Sequence, residues 1–525
     1  MLISLFAAMS MAMNARIIDY NTDDGFKYKL NTEEKTATLS RYSGSAKEVC
    51  IPDSITYSDE TFTFTVTYLG NGCFKNCTSL TSINIPSSVT SLESCFVGCT
   101  SLTSIDIPSS ITYLGYYCFA HCTSLTSINI PSSVTIMDGC FTYCTALSTV
   151  NISSSVTSLD GCFIGCTSLT HIDIPSSVTS LGANCFKDCT SLTSINIPSS
   201  VTNLGDSCFK NCTSLTSIDI PSSVTSLEEY CFAYCTSLTS IDIPSSVKKL
   251  KWECFAHCTS LTSIDIPSSV TSLGYYCFSG CTSLTHIDIP SSVTSLDYCF
   301  YGCTSLTSIN IPSSVTKMHC CFIGCTSLTH IDIPSSVTSL GVYCFKDCTS
   351  LTSINIPSSV KKLDSGCFWG CTSLTSIDIP SSVQILGDVC FRDCTSLTSI
   401  NIPSLVGVIG KWCFRNCTSL KTMICEISST TLGIGYYSDF FEDTPIEQAT
   451  LYVPETSLES YKTTSPWSGF GKILPISPDG IKKTTTDKET TIGAIYNLEG
   501  KRRNGIRSGI NIIRMSDGTT KKVLK

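Results

Sequence analysis

Hydrophobic and polar positions recur with one period along most of the chain. From Cys73 to Cys417 the motif Cys-Phe-x-x-Cys occurs sixteen times, and successive copies start 22 or 23 residues apart. The usual unit reads C-F-x-x-C-T-S-L-T-S-I-[D/N]-I-P-S-S-V-T-x-L-g-x-x. A constant period of this length is typical of a solenoid, because one unit cannot bury its apolar side chains alone and stacked units can.

Within one unit, the apolar positions predict two inward-facing segments. Leu80, Ile83 and Ile85 are spaced L-x-x-L-x-L, and the alternation of the last two is typical of a half-buried strand. Pro86 should end this strand, because proline has no N–H for a further ladder hydrogen bond. A second inward segment follows six residues after Ile83, at the sequence V-T-x-L.

The remaining apolar positions of the unit belong to the cysteine motif. Cys95, Phe96 and Cys99 fit one short helical turn, where residues three and four apart share a face. The predicted fold class is therefore a β-rich repeat solenoid with short parallel strands and one short helical turn in each 22–23-residue coil. We expect a curved, right-handed stack of about sixteen coils with a cap at both ends.

The repeated sequence CFxxCTSLTSIxIPSSVTxL, which extends across residues 73–425, closely resembles the BspA-like class of leucine-rich repeats. That class occurs in surface proteins of gut and oral bacteria and of some parasitic protists. Its units often have alanine where this chain has the first cysteine of CFxxC. The resemblance implies a leucine-rich-repeat fold and an adhesive role at a cell surface, without naming a ligand.

The chain divides into six predicted segments. They are a signal peptide (1–15), an N-terminal β cap (16–69), the repeat array (70–425), a C-terminal cap (426–476), a linker (477–490) and a small β tail (491–525). The apolar first segment has small residues suited to cleavage, and its alternative is a short buried strand or helix. It is shorter than the roughly 20 apolar residues of a membrane-spanning helix.

The tail carries eight basic and two acidic residues, although the whole chain has a net charge of −9. Its segments IYNLEG, GINII and DGTTKK resemble the C-terminal sorting tails of proteins exported by type IX secretion in Bacteroidetes. The alternative is a stable β appendage without a sorting role. We do not expect nucleic acid to bind, because the tail lacks interleaved aromatic residues and the chain as a whole is acidic.

The 35 cysteines invite three interpretations. Free cysteine behaves as a small buried hydrophobe, so a column of thiols could fill the turn of each coil. Disulfides between neighbouring coils would be compatible with the stacking distance. Structural zinc sites usually use C-x2-C pairs, whereas the spacing here is C-x3-C. We favour core packing and expect no metal or other cofactor.

A first candidate ligand surface is the strand face. Asp or Asn occurs between the two strand isoleucines of each unit, with Ser or His two residues earlier. The candidates on this face are Asp106, Asp173, Asp219, Asp242, Asp265, Asp288, His171, His286 and His330. The alternative is a solvated sheet face whose Ser and Thr suit strands. A calcium site would require carboxylates that converge on one point, and a column offers them singly.

The second candidate surface consists of two variable windows, one inside CFxxC and one just before it. These windows carry many aromatic residues, a type enriched where proteins bind partners. The candidates are Tyr116, Tyr117, Tyr275, Tyr276, Trp369 and Trp412. The alternative is sequence drift at turns that tolerate change.

Catalytic signatures such as GxSxG, HExxH and the P-loop are missing from the sequence, so we predict that the chain is not an enzyme. The first functional hypothesis is a secreted or cell-surface adhesin that contacts host matrix proteins or other cells. Its partners would be extracellular proteins or glycans. The alternatives are a glycan- or peptide-capture module that accompanies exported enzymes, and a passive surface spacer.

Overall fold

The computed structural model describes residues 17–57, 62–430 and 439–476, together with the backbone of four strands in the tail. The expected signal peptide (1–15) and linker (477–490) lie outside the described residues. The chain forms two compact units, Met1–Ile473 and Leu474–Lys525. The first unit is a β-solenoid of parallel coils, which confirms the predicted fold class.

The N-terminal part of the solenoid unit is a small sheet. Its strands are β1 (Ile17–Asn21), β2 (Phe26–Asn31), β3 (Thr36–Tyr42), β4 (Glu48–Cys50), β5 (Ser54–Tyr57) and β6 (Phe62–Leu69). Strands β1, β2 and β3 are antiparallel neighbours, β3 pairs with β6 in parallel, and β5 pairs with β6 antiparallel. Strands β4 and β6 then pair in parallel with the first strands of the array, so this sheet covers the first coil.

Two ladders of short parallel strands run along the array. The first ladder carries the Asp/Asn column and contains β7 (Ser82–Asn84), β10 (Ser127–Asn129), β11 (Thr149–Asn151), β19 (Ser376–Ile377), β21 (Ser399–Ile402) and β23 (Thr422–Cys425). Single parallel bridges, such as those from Asp219 to Asp242 and from Asp242 to Asp265, continue it through the middle coils.

The second ladder lies on the V-T-x-L segment of each coil. Its strands are β8 (Ser91–Leu92), β9 (Tyr113–Leu114), β12 (Ser180–Leu181), β13 (Asn203–Leu204), β14 (Ser226–Leu227), β15 (Lys249–Leu250), β16 (Ser272–Leu273), β17 (Ser339–Leu340), β18 (Lys362–Leu363), β20 (Ile385–Leu386) and β22 (Val408–Ile409). In both ladders the side chains of each strand alternate between the core and the surface.

The array ends in a short mixed segment. It contains β24 (Thr450–Val453), the helix α1 (Leu458–Thr463), β25 (Lys472–Pro475) and the 3-10 turns Ile446–Gln448, Glu455–Ser457 and Trp467–Gly469. Strand β24 continues the first ladder in parallel with β23. Tyr461 and Trp467 are fully buried, so this segment closes the last coil with aromatic side chains.

The second unit contains four antiparallel strands. They are β26 (Ile492–Tyr496), β27 (Arg502–Arg503), β28 (Ile510–Met515) and β29 (Thr520–Leu524), in the spatial order β27-β26-β28-β29.

A column of stacked phenylalanines forms the centre of the array. The sixteen motif phenylalanines, Phe74 to Phe414, are fully buried, and the ring centroids of neighbours lie 5.4–5.8 Å apart. Tyr42 of β3 begins the column and Phe441 ends it, with centroid distances of 5.3 and 5.7 Å. Aromatic residues of the two caps therefore continue the stack beyond the repeats.

The cysteine motif differs in detail from the expected helical turn. Each CFxxC segment forms successive three-residue turns, such as the bonds from Cys77 N–H to Phe74 and from Lys75 N–H to Gly72. The fourth motif position has a positive φ in all sixteen copies, with 60° at Asn76 and 58° at Tyr143. A residue in this left-handed conformation ends a right-handed helix. The turn therefore cannot propagate.

Backbone bonds from these turns link neighbouring coils. Phe74 N–H donates to Cys95 at 3.0 Å, and Asn76 N–H donates to Val97 at 2.7 Å, in a pattern repeated along the array. The residue just before each first cysteine also has a positive φ, and its N–H often donates to the next coil in the same way. A positive φ costs most residue types about 1–2 kcal/mol. The hydrogen bonds between coils offset that cost.

Candidate binding surfaces

The second cysteine of each motif has a defined structural partner. In fifteen successive coils its thiol donates to the carbonyl oxygen of the motif phenylalanine one coil earlier, with S···O distances of 3.0–3.2 Å. The same carbonyl accepts the N–H of the second cysteine in its own coil, as in the bond from Cys212 to Phe209. The cysteine ladder therefore belongs to the hydrogen-bonded core.

Burial suppresses the acidity of these thiols. Desolvation raises the pKa of Cys99, Cys235 and Cys281 to about 12, far above the ordinary value for cysteine. All 35 cysteines lie within the described residues and are free thiols. Within the same residues, groups of three or more His, Cys, Asp or Glu side chains arranged to hold a metal ion are not found. The ladder thus supplies packing and hydrogen bonds at neutral pH.

Hydroxyl side chains also join the coils. The second serine of the P-S-S-V segment donates to the carbonyl of the valine or isoleucine one coil earlier, for example from Ser88 to Val66 at 2.6 Å and from Ser382 to Val360 at 2.7 Å. Threonines on the strand face also donate to a carbonyl oxygen one coil earlier, over longer distances, as in the 3.3 Å bond from Thr193 to Thr170. Part of the hydroxyl-rich surface is therefore already hydrogen-bonded within the solenoid.

The strand-face candidates are highly exposed. The side chain of Asp173 is 93% exposed, and backbone bridges align the four aspartates of consecutive coils. Those four are Asp219, Asp242, Asp265 and Asp288. Asp106 occupies the same position of its coil and is also exposed. Each coil contributes one carboxylate, so these groups form a row and do not converge on one point.

The three candidate histidines lie beside aspartates of their own strands. The Nε2 atom of His171 is 3.1 Å from Asp173, and those of His286 and His330 are 3.2 Å from Asp288 and Asp332. Each pair is exposed and separate from the others. The structure therefore places these histidines in local contacts and does not bring them together.

The turn-face tyrosines form exposed ring pairs. Tyr116 and Tyr117 are about half exposed and meet edge to face, with centroids 5.4 Å apart. In a later coil, Tyr275 is 55% exposed. Tyr276 beside it is half-buried and contacts Tyr298, with centroids 4.8 Å apart. These rings are surface groups with little core around them.

Tyr117 and Tyr276 also have a left-handed backbone conformation, which glycine adopts more readily. Both precede a first cysteine and have a φ of 58°. Glycine stands at this position in other coils, such as Gly139 and Gly366, where it adopts the same conformation without a side-chain penalty. The variable windows therefore keep one backbone conformation at this position, while the residue type changes from coil to coil.

The two candidate tryptophans are less exposed than the tyrosines. Trp369 is half-buried between Lys346 and Arg392, whose cationic groups lie 4.6 and 4.7 Å from its ring. Its indole N–H donates to Asp393 at 2.8 Å. Trp412 is half-buried beside Lys411, whose ammonium lies 3.9 Å from its ring. Both tryptophans are thus engaged by neighbouring charged groups.

A surface cavity was not predicted from the sequence. A cavity of about 380 Å³ is lined by Tyr275, Asp297, Tyr298 and His319, among others. It lies where two consecutive coils, which begin at Cys277 and Cys299, are each 22 residues long. The coils that begin at Cys118 and Cys140 are also 22 residues long, so the repeat spacing alone did not mark this place.

Asp297 accepts hydrogen bonds beside this cavity, one of them from the backbone of the next coil. Its carboxylate accepts the N–H of His319 at 2.9 Å and the hydroxyl of Ser295 at 2.8 Å. Beside it, a hydrogen bond with the Cys320 thiol, together with burial, raises the pKa of Tyr298 to about 12. The phenol of Tyr298 is therefore uncharged at neutral pH.

Comparison with known proteins identifies the repeat. The family model described as "BspA type Leucine rich repeat region (6 copies)" matches overlapping segments between residues 53 and 445. The chain belongs to this family. A leucine-rich repeat protein from Bacteroides ovatus is 30% identical, with a TM-score of 0.59, and the match covers 83% of this chain and all of that one. This BspA-type array thus has a relative of known structure over most of its length.

A second solved structure is a leucine rich cell surface protein from Faecalibacterium prausnitzii. It is 30% identical, with a TM-score of 0.41, and the match covers 69% of this chain and 94% of that chain. A search of curated proteins found no match to this chain. In the described residues, helices long and apolar enough to cross a bilayer are not found.

Proposed function

We propose that this BspA-type protein is a secreted or cell-surface adhesin that contacts extracellular proteins of a host or of neighbouring cells. One observation carries the proposal: exposed tyrosines occupy turn positions with a positive φ, where glycine would satisfy the backbone at lower cost. Aromatic residues are the type that most often anchors a protein interface.

Repetition of the surface supports adhesion. Each coil presents a similar strand and a turn of the same backbone shape at a regular spacing, so many weak contacts can form at once. Linked contacts raise the overall avidity well above the affinity of any one of them. The apolar segment 1–15 would direct export, and the tail 491–525 would direct sorting to the cell surface.

Solid-phase binding of the full chain to extracellular-matrix proteins and to whole microbial cells tests this proposal. The turn variant combines Tyr116→Ser with Tyr117→Asn, because asparagine tolerates a positive φ. The strand-face variant replaces Asp219, Asp242, Asp265 and Asp288 by asparagine and serves as the matched control. We expect the turn variant to weaken adhesion and the strand-face variant to adhere as strongly as the wild-type chain.

The opposite pattern would move the contact surface to the Asp/Asn column. Binding to glycans alone would favour the alternative, a glycan- or peptide-capture module that accompanies exported enzymes. If the wild-type chain binds none of these targets, the protein is a passive surface spacer and the adhesin proposal fails.

A further inference from the structure

Two cavities of the array form one continuous groove beside the second strand ladder. The 380 Å³ cavity at the short coils shares Tyr275 and Asp297 with a second cavity of about 450 Å³, which Trp252 and Lys249 also line. The lining residues extend from Glu229 to Asp364 and come from seven successive coils. At about 4.8 Å for each coil, the groove is on the order of 30 Å long.

Aromatic rings line the middle of this groove. Trp252 is 43% exposed and Tyr275 is 55% exposed in the next coil. The ring of Tyr275 meets Tyr298 edge to face at 5.9 Å, and Tyr298 meets His319 at 5.7 Å. A run of partly exposed rings offers apolar faces to a ligand, while the hydroxyl of Tyr and the ring nitrogens of His and Trp can form hydrogen bonds.

A glycine lines the groove where two coils approach closely. Gly341 lines the cavity, and a Cβ atom there would lie 2.7 Å from Nδ1 of His319 and 2.8 Å from the carbonyl oxygen of Met318. A larger residue could not be placed there without displacing the preceding coil.

The charges that line the groove are balanced. Three lysines and three carboxylates contribute to the two cavities: Lys249, Lys251, Lys317, Glu229, Asp297 and Asp364. Some of these already have local partners, since Lys251 pairs with Glu228, and Lys362 lies 2.9 Å from Asp364. The side chains that line the groove therefore carry no excess charge that would attract an anionic or a cationic polymer.

Backbone N–H groups along the groove already donate hydrogen bonds to the preceding coil. The N–H of Gly274 donates to Leu250 and that of Gly341 donates to Met318, at 2.8 and 3.1 Å. An extended peptide is usually bound through main-chain hydrogen bonds at a free strand edge. Here the groove offers side chains: ring faces with hydroxyl, carboxylate and ammonium groups between them.

We infer that this groove binds a neutral oligosaccharide chain that lies along the solenoid axis. The rings of Trp252, Tyr275 and Tyr298 would pack against the apolar C–H faces of successive sugars. The serines, lysines and carboxylates between them would hydrogen-bond the sugar hydroxyls. This site is separate from the pair Tyr116 and Tyr117 that tests the proposed function, although its Tyr275 belongs to a variable turn window of a later coil.

The test uses the full chain on an array of hexasaccharides. Its arms are neutral β-glucan, xylan, mannan and galactan fragments, with hyaluronan and chitosan fragments as the acidic and basic arms. We expect binding in at least one neutral arm. Trp252→Ala and Tyr275→Ala should each weaken it about tenfold, a change of about 1.4 kcal/mol. Tyr275→Phe keeps the ring and should retain most of the binding.

Tyr113→Ala is the matched control, because Tyr113 is an exposed tyrosine that contributes to neither cavity. Binding only to an acidic or basic arm, to no arm, or equally by the wild type and both alanine variants would overturn the inference. Adhesion to matrix proteins is measured in parallel. If the wild-type chain adheres to matrix proteins but binds no sugar, only the groove inference is refuted. If the wild-type chain does neither, the proposed function is refuted as well.

Discussion

The hydroxyl of Thr444 donates a hydrogen bond of 2.5 Å to the carbonyl oxygen of Phe414. In the fifteen preceding pairs of coils, a cysteine thiol makes this contact. Thr444 belongs to the terminal turn D-F-F-E-D-T, where Phe441 continues the phenylalanine column and Asp443 has a φ of 60°. The last coil therefore retains the hydrogen bond of the cysteine ladder after the cysteine itself is lost.

This replacement shows that the contact does not require the redox chemistry of a thiol. A threonine can neither form a disulfide nor act as a thiolate ligand, yet it makes the same contact at the same point of the coil. The second cysteine of the motif is thus a small buried side chain that donates one hydrogen bond.

A matched pair of substitutions at Cys235 measures that hydrogen bond. Its thiol donates to Phe209 at 3.1 Å in a fully buried environment. Threonine and valine have the same shape, but only threonine keeps a donor. We expect Cys235→Thr to be more stable than Cys235→Val by about 1 kcal/mol in chemical denaturation. A valine variant as stable as the threonine variant would show that only packing matters here.

Leucines of the array should be sensitive to truncation. Leu238 is fully buried between neighbouring coils, and Leu238→Ala should lower the free energy of unfolding by roughly 2–5 kcal/mol. Because each coil contacts only its neighbours, we expect faster hydrogen exchange in the adjacent coils first. Ser240→Ala in the same coil is the control for a change on the exposed face. Uniform loss of protection along the whole array would contradict local coupling.

Alkaline pH should destabilise the array. The pKa of Cys235 and of Cys281 is about 12 in the folded chain, against about 8.5 in an unfolded one. Below pH 8.5 both states hold the thiol proton, and the full stability is present. Above it the unfolded chain loses protons that the folded chain keeps, so stability falls by about 1.4 kcal/mol per pH unit for each such cysteine.

Denaturation midpoints between pH 6 and pH 9.5 check this dependence, since tyrosines ionise only near pH 10. The midpoint should change little because of the cysteines up to pH 8 and then fall steeply. A constant midpoint up to pH 9.5 would mean that the thiols do not change their protonation on unfolding.

The sequence predicted the repeat and its core because hydrophobic periodicity reports which side chains face inward. Ile83 and Phe96 were assigned to the interior on that basis, and both are buried. Periodicity does not report the direction of backbone N–H groups. The positive φ at Asn76 and Tyr143, and the hydrogen bonds between coils that follow from it, therefore could not be predicted.

The candidate surfaces were only partly predictable for a similar reason. Exposure of Tyr116 follows from its place in a variable turn. The half-burial of Trp369 depends on Lys346 and Arg392 of the two neighbouring coils, 23 residues away on either side. The groove at Asp297 depends on which surface side chains of successive coils lie beside one another, and the hydrophobic pattern does not report this.

The central claim is that the cysteines hold the solenoid together as free, buried thiols and leave recognition to the surface. Intact-mass analysis after alkylation, without reductant, tests it most directly. Under native conditions we expect rapid labelling of Cys50, which is exposed, and of the half-buried Cys77. After denaturation all 35 cysteines should react. Labelling of most cysteines in the native state, or a denatured count reduced in steps of two by disulfides, would contradict the account.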